Sequence, residues 1–154
     1  MSYDTVMALA AKSRKRSLNF VQAAFDGDLR KVKRLHRSGV DINFKNWADF
    51  TALTAASTVG RTGIINYLLR NNADMTGSLV GAACYNHFAA AELIIQEGRR
   101  RRCMDVIGIK KALWHTTNAR GRPTPIASHI RKLVKEAEAT CPPSSHLRRS
   151  TGRQ

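Results

Sequence analysis

The strongest constraint in this sequence is that it aligns with itself at an offset of 33 residues. Leu18-Asn19-Phe20-Val21-Gln22-Ala23-Ala24 lies over Thr51-Ala52-Leu53-Thr54-Ala55-Ala56-Ser57. Gly27 falls on Gly60, Val32 on Ile65, Leu35 on Leu68, Gly39 on Asn72 and Asp41 on Asp74. Apolar positions within each unit keep helical spacing. Phe20, Ala23 and Ala24 share one face of a first helix, and Leu29, Val32 and Leu35 one face of a second. The Ala pair permits close helix approach, Gly27 or Gly60 supplies a tight turn between antiparallel helices, and Gly39 stands where the second helix ends. Each unit therefore reads helix, turn, helix, extended loop. Such a unit cannot bury its own apolar face, so neighbours must stack.

A third unit follows at the shorter offset of 26, carried by Leu79, Ala82, Ala83, Asn86, His87, Leu93, Ile94, Ile95 and Gly98. These units resemble the ankyrin repeats. Residues 46–76 match that family's pattern at Thr51, Leu53, Ala56, Gly60, Ile64, Ile65, Leu68, Leu69, Ala73 and Asp74. Residues 18–43 end in Ser38-Gly39-Val40-Asp41-Ile42-Asn43, where the family has a Gly-Ala-Asp-Val-Asn type ending. The resemblance covers residues 18–98 and implies an all-α ankyrin-repeat solenoid with one full hairpin finger. The shorter third offset would remove the finger between repeats two and three. Two departures stand out. Thr51-Ala52-Leu53-Thr54 replaces the family's Thr-Pro-Leu-His, which alters the usual hydrogen bonding between repeats. Asp49 replaces the finger glycine and tolerates a left-handed backbone better than most residues.

Residues 106–115 and 124–139 read as a fourth helix pair. Ile109 and Ala112 echo Leu79 and Ala82, while Ile126, Ile130, Leu133, Val134 and Ala137 form an apolar stripe behind Pro125 at the first turn. A divergent C-terminal capping repeat is the reading adopted; a small separate helical element is the other. The expected organisation is a basic N-terminal segment (1–16), three ankyrin-like repeats (17–98), a basic divergent repeat or cap (99–139) and a disordered basic tail (140–154).

Charge divides the chain unevenly. Residues 1–98 hold 12 basic and 8 acidic side chains, a net of +4, whereas residues 99–154 hold 14 and 3, a net of +11. That field attracts nucleic acid, anionic lipid or an acidic protein without choosing among them. No uncharged stretch is apolar enough to span a bilayer. Three scattered cysteines (Cys84, Cys103, Cys141) make no disulfide framework and fit a reducing compartment, cytoplasmic or nuclear. A mitochondrial presequence stays open, because Lys12, Arg14, Lys15 and Arg16 follow a short Ala-rich stretch, although Asp4 counts against it. The same basic run reads equally as a nuclear-import signal or as the entry to the first repeat, and Ser17 and Thr151 follow arginines as basophilic kinase sites would.

No motif supports catalysis: the sequence has no P-loop, no G-x-S-x-G and no H-E-x-x-H. Cys103, His115, His129 and Cys141 are spaced unlike common metal ligands. No cofactor, metal or small-molecule substrate is expected, and the chain is read as a non-enzyme. Binding fares better. What the resemblance implies is recognition by the finger tip and by exposed first-helix residues along the concave face. Here these are Asn46, Trp47, Ala48 and Phe50 in the finger, Phe25 and Asp26, Thr58 and Val59, and Tyr85 with Cys84. Large exposed aromatics are typical interface anchors; the structural alternative is that Trp47 or Phe50 folds down onto a neighbouring repeat. The leading expectation is thus an adaptor that mediates protein–protein interaction. The alternative is a basic scaffold in a ribonucleoprotein or DNA complex. In that reading Arg99, Arg100, Arg101, Arg102, Lys110, Lys111, Arg120 and Arg122 meet phosphate or an acidic partner. Arg120-Gly121-Arg122-Pro123 resembles an AT-hook core, and a plain inter-helix loop is the simpler account of it.

Overall fold

A computed structural model describes residues 3–101, 106–116 and 124–140. Among the described residues eight helices follow one another: α1 (Tyr3–Asp26), α2 (Leu29–Arg37), α3 (Ala52–Thr58), α4 (Thr62–Arg70), α5 (Ser78–Cys84), α6 (Phe88–Arg100), α7 (Val106–His115) and α8 (Pro125–Thr140). No strand occurs among the described residues. Helices α1, α3, α5 and α7 pack successively in one layer, and α2, α4, α6 and α8 in the other. The chain is an all-α solenoid of helix pairs, with α7 and α8 closing the end against α5 and α6.

The core follows the repeat arithmetic. Phe20, Leu53 and Leu79 occupy the same position in successive inner helices, and each is buried. Ala23, Ala56, Ala82 and Ala112 lie one turn further on and are essentially inaccessible, which lets neighbouring helices approach closely. In the outer layer Val32, Ile65, Leu68, Ile95 and Ile130 fill the space between pairs. His36 Nδ1 meets the Tyr67 hydroxyl at 2.8 Å, tying α2 to α4, with Lys33 Nζ 5.6 Å from the Tyr67 ring centre.

Turns repeat as the glycine pattern predicts. Gly27 and Gly60 have φ of +90° and +71°, and Asn86 takes the third equivalent position at +59°. The residue after each turn reveals how the pairs interlock. Asp28 caps α2 by accepting from Lys31 N at 2.9 Å. Its counterparts Arg61 and His87 make no side-chain cap. Instead each lies over the turn glycine of the preceding pair, Arg61 on Gly27 and His87 on Gly60. His87 Nε2 also meets the Thr58 carbonyl at 3.0 Å.

The altered Thr-Ala-Leu-Thr start of α3 works as a self-contained cap. Thr51 Oγ1 accepts from Thr54 N at 3.2 Å, Thr54 Oγ1 accepts from Thr51 N at 2.8 Å, and both residues are buried. Asp41 and Asp74 each close a turn two residues on, and Asn43 accepts from Asp74 N at 2.8 Å, binding successive connections together. The connection 38–51 carries the finger, whereas 71–77 is half as long and carries none.

Two features extend beyond the sequence reading. α1 begins at Tyr3, so the basic segment is one continuous helix with the first repeat, and residues 3–16 are all exposed. Ser17 is buried with its hydroxyl donating to Ser13 O, a poor position for a kinase to reach. Thr151, Cys103, Cys141 and the tail 141–154 lie outside the described residues.

Candidate protein-binding groove

The finger is built by one side chain. Asn46 Oδ1 accepts from Ala48 N at 2.9 Å and from Phe50 N at 3.0 Å, while Asn46 N donates to Phe50 O at 3.0 Å. Asp49 takes φ +59°, the left-handed conformation that its short side chain tolerates. With no neighbouring finger to pair against, the reversal is held by the Asn46 carboxamide rather than by a strand ladder. This clamp fixes Trp47 at the tip, 90% exposed, beside the exposed Ala48. Trp47 therefore does not fold onto a neighbouring repeat.

Behind the finger lies a groove of about 280 Å³ lined by Val21, Gln22 and Phe25 of α1, Asn46 and Phe50 of the finger, Ala55 and Thr58 of α3, and Tyr85 after α5. Phe25, Phe50 and Tyr85 are 48%, 39% and 62% exposed, so three aromatic faces border one concavity in contact with water. Of the residues singled out from sequence, Phe25, Asn46, Phe50, Thr58 and Tyr85 meet here. Asp26 is not part of the lining but accepts from the lining residue Gln22, whose Nε2 lies at 2.8 Å. Val59 is half-buried as the C-cap of α3 and is not part of the lining. Val21, Gln22 and Ala55 were missed. Only spacing pointed to them, since Val21 and Gln22 precede Phe25 by one helical turn and Ala55 precedes Thr58 likewise, and Val21 and Ala55 read equally well as core.

The arginine run is divided by its contacts. Arg100 Nε and Nη2 donate to the two Glu97 carboxylate oxygens at 2.8 and 2.6 Å. Arg101 Nε donates to Glu97 Oε1 at 2.7 Å, and its remaining nitrogens donate to the Ala73 carbonyl at 2.9 Å and to the Leu69 carbonyl. Hydrogen bonds from Arg100, and then from Arg101, hold the Glu97 carboxyl at about 2 against the opposing effect of burial. The same pairing raises the Arg100 guanidinium above its ordinary value. Arg101 thus serves the open C-terminal end of α4, where no finger covers the carbonyls. Arg99 is exposed, as are Lys110 and Lys111 on α7. Arg102, Arg120 and Arg122 lie outside the described residues, and with them the AT-hook-like segment.

Among the described residues no three His, Cys, Asp or Glu side chains gather into a metal-binding group. Cys84 is exposed, yet burial by its neighbours pushes its thiol pKa up, away from a reactive thiolate. No described helix is long and apolar enough to cross a membrane.

The stacked pairs, their turn residues and the finger agree with comparison to known families. The family model for ankyrin repeats (3 copies) matches residues 20–105. This chain belongs to the ankyrin-repeat family. Among curated proteins none matches it. Ankyrin repeats generally mediate protein–protein interaction and are typically non-enzymatic modules.

Proposed function

We propose that this ankyrin-repeat protein is a non-enzymatic adaptor that holds another protein against its finger and concave helix face. One observation carries the reading: Phe25, Phe50 and Tyr85 border a single groove, and Trp47 stands exposed on the finger beside it. Aromatic anchors at a concave site are the residues whose burial by a partner releases most free energy. The finger needs no rearrangement to present them, because the Asn46 clamp has already fixed the backbone. A reducing compartment, cytoplasm or nucleus, suits the free thiol of Cys84.

Affinity capture by the full chain tests this, performed with and without nuclease and repeated with Trp47→Ala and with Phe25→Ala. The expected result is nuclease-resistant capture of a defined protein set, weakened by both substitutions while far-ultraviolet circular dichroism is unchanged. Trp47 touches so little that its truncation changes stability by no more than ~0.5 kcal/mol. Capture that vanishes with nuclease would assign the chain instead to a nucleic-acid complex, and capture indifferent to both substitutions would sink the groove as the site.

A further inference from the structure

The concave face does not end at the groove. Repeat register carries it into α7, where Ile109 and Ala112 are buried at the positions of Leu79 and Ala82 in α5, Leu53 and Ala56 in α3, and Phe20 and Ala23 in α1. Counting from those anchors, Lys110 is the α7 counterpart of Val21, Lys111 of Gln22 and Ala55, and Trp114 of Phe25 and Thr58. Those counterparts are the very residues that line the groove from α1 and α3. Lys110, Lys111 and Trp114 are exposed, Trp114 by 74%, on the side of α7 away from its buried residues. Between the two ends the inner helices present small side chains. Gly81 of α5 replaces Ala55 and Gln22, and it lies so close to α3 that an added Cβ would stand 2.8 Å from Thr58 Oγ1. The inner surface is therefore a trough with an aromatic groove at one end, a shallow middle, and two lysines with a tryptophan at the other.

We infer that the partner presented to this face is an extended segment carrying an apolar or aromatic residue followed or preceded by acidic side chains. The inference rests on the adaptor reading and specifies its partner. The apolar residue enters the groove among Phe25, Phe50 and Tyr85, and the acids meet Lys110 and Lys111. Charge sets the direction. At the groove end Asp26 and Asp49 are offset by the exposed Lys45 and by the Arg61 guanidinium over Gly27, whereas Lys110 and Lys111 stand on α7 with no acid in that helix, so an acidic side chain is drawn to the α7 end. Geometry sets the spacing. Stacked helices lie 8–10 Å apart, so two intervals separate α3 from α7 by roughly 20 Å. An extended chain advances about 3.3 Å per residue, which places the acids about six residues from the anchor. Phosphate could also satisfy the lysines, but the groove asks for a detached apolar side chain on a thin backbone, which a peptide supplies more directly.

Selection from a random 12-residue peptide display library against the full chain tests the proposal. The expected peptides carry Asp or Glu about six residues from an aromatic or aliphatic residue. For a selected synthetic peptide, the double substitution Lys110→Glu, Lys111→Glu should weaken binding about tenfold at low salt and much less at high salt, as screened charges require. Phe25→Ala and Tyr85→Ala should weaken it at any salt. Selected peptides that need Phe25 and Tyr85 but carry no acidic enrichment and ignore the lysine reversal would overturn this inference and leave the adaptor reading standing. Peptides indifferent to Phe25 and Tyr85 would remove both, and no retained peptide at all would overturn this inference alone, since the adaptor reading also admits a folded partner. A 12-nucleotide single-stranded RNA that binds as tightly and is lost on the lysine reversal would assign the basic end to phosphate and overturn the inference too.

Discussion

Gly60→Ala is the most informative single change, because two separable costs meet at one atom. Gly60 has φ +71°, a conformation in which a Cβ costs roughly 1 kcal/mol once the stiffer unfolded chain is allowed for. A Cβ there would also lie 2.5 Å from His87 Nδ1. That ring cannot swing aside freely, since its other nitrogen meets the Thr58 carbonyl at 3.0 Å. Displacing it forfeits a hydrogen bond worth about 1 kcal/mol and disturbs the junction of the second and third pairs. The total is about 2–3 kcal/mol. Gly27→Ala is the internal control: φ is +90°, but the nearest atoms belong to the Arg61 guanidinium, the far end of a flexible side chain, so about 1 kcal/mol is expected. Urea unfolding followed at 222 nm measures both, provided the m-values agree, because a repeat array can lose cooperativity. In a His87→Ala background the cost of Gly60→Ala should fall to about 1 kcal/mol. Equal costs at the two glycines, or an undiminished cost without His87, would refute the interlock of turn and ring.

Three further outcomes are expected. Thr51→Ala removes one arm of the reciprocal cap on α3 and should destabilise by about 1 kcal/mol in the same urea assay. Arg101→Ala should cost about 2 kcal/mol, since it uncovers two carbonyls at the end of α4, and Arg100→Ala should cost less because Arg100 pairs only with Glu97. The folded Glu97 carboxyl lies at about 2 against an ordinary 4.5, so its contribution is fully present above pH 4.5 and is lost as pH falls from there toward 2. Solvent screening reduces that contribution to about 1–2 kcal/mol, and Glu97→Gln should flatten the acid limb of a stability–pH profile by that amount.

Much of the fold was legible without coordinates because the same physical problem is solved three times in the sequence. Left-handed positions at 27, 60 and 86 carry Gly, Gly and Asn, and the buried alanines recur at fixed spacing, so repetition multiplied a weak local signal. The loss of the second finger was legible too, as a shorter offset. Of the site, the aromatic members were visible because an exposed Phe or Tyr is conspicuous on a helix pattern. Val21 and Ala55 were not, because small apolar residues look like core until the neighbouring helix is placed. The arginine run shows the opposite failure: four identical letters gave no sign that Arg101 would turn inward to carbonyls 28 and 32 residues earlier in the chain.

What the sequence by itself determined is the stack, since helix-period apolar faces too small to bury themselves leave no other compact arrangement. Only tertiary structure decided which polar side chains would be spent on internal junctions. Arg61 and His87 face away from their own helix starts toward the previous turn, and Arg101 reaches back to the Leu69 and Ala73 carbonyls, because those choices depend on the distance between pairs rather than on local spacing. The same packing distance leaves Phe25, Phe50 and Tyr85 around one concavity, a proximity that residues so far apart along the chain acquire only when the pairs close on one another.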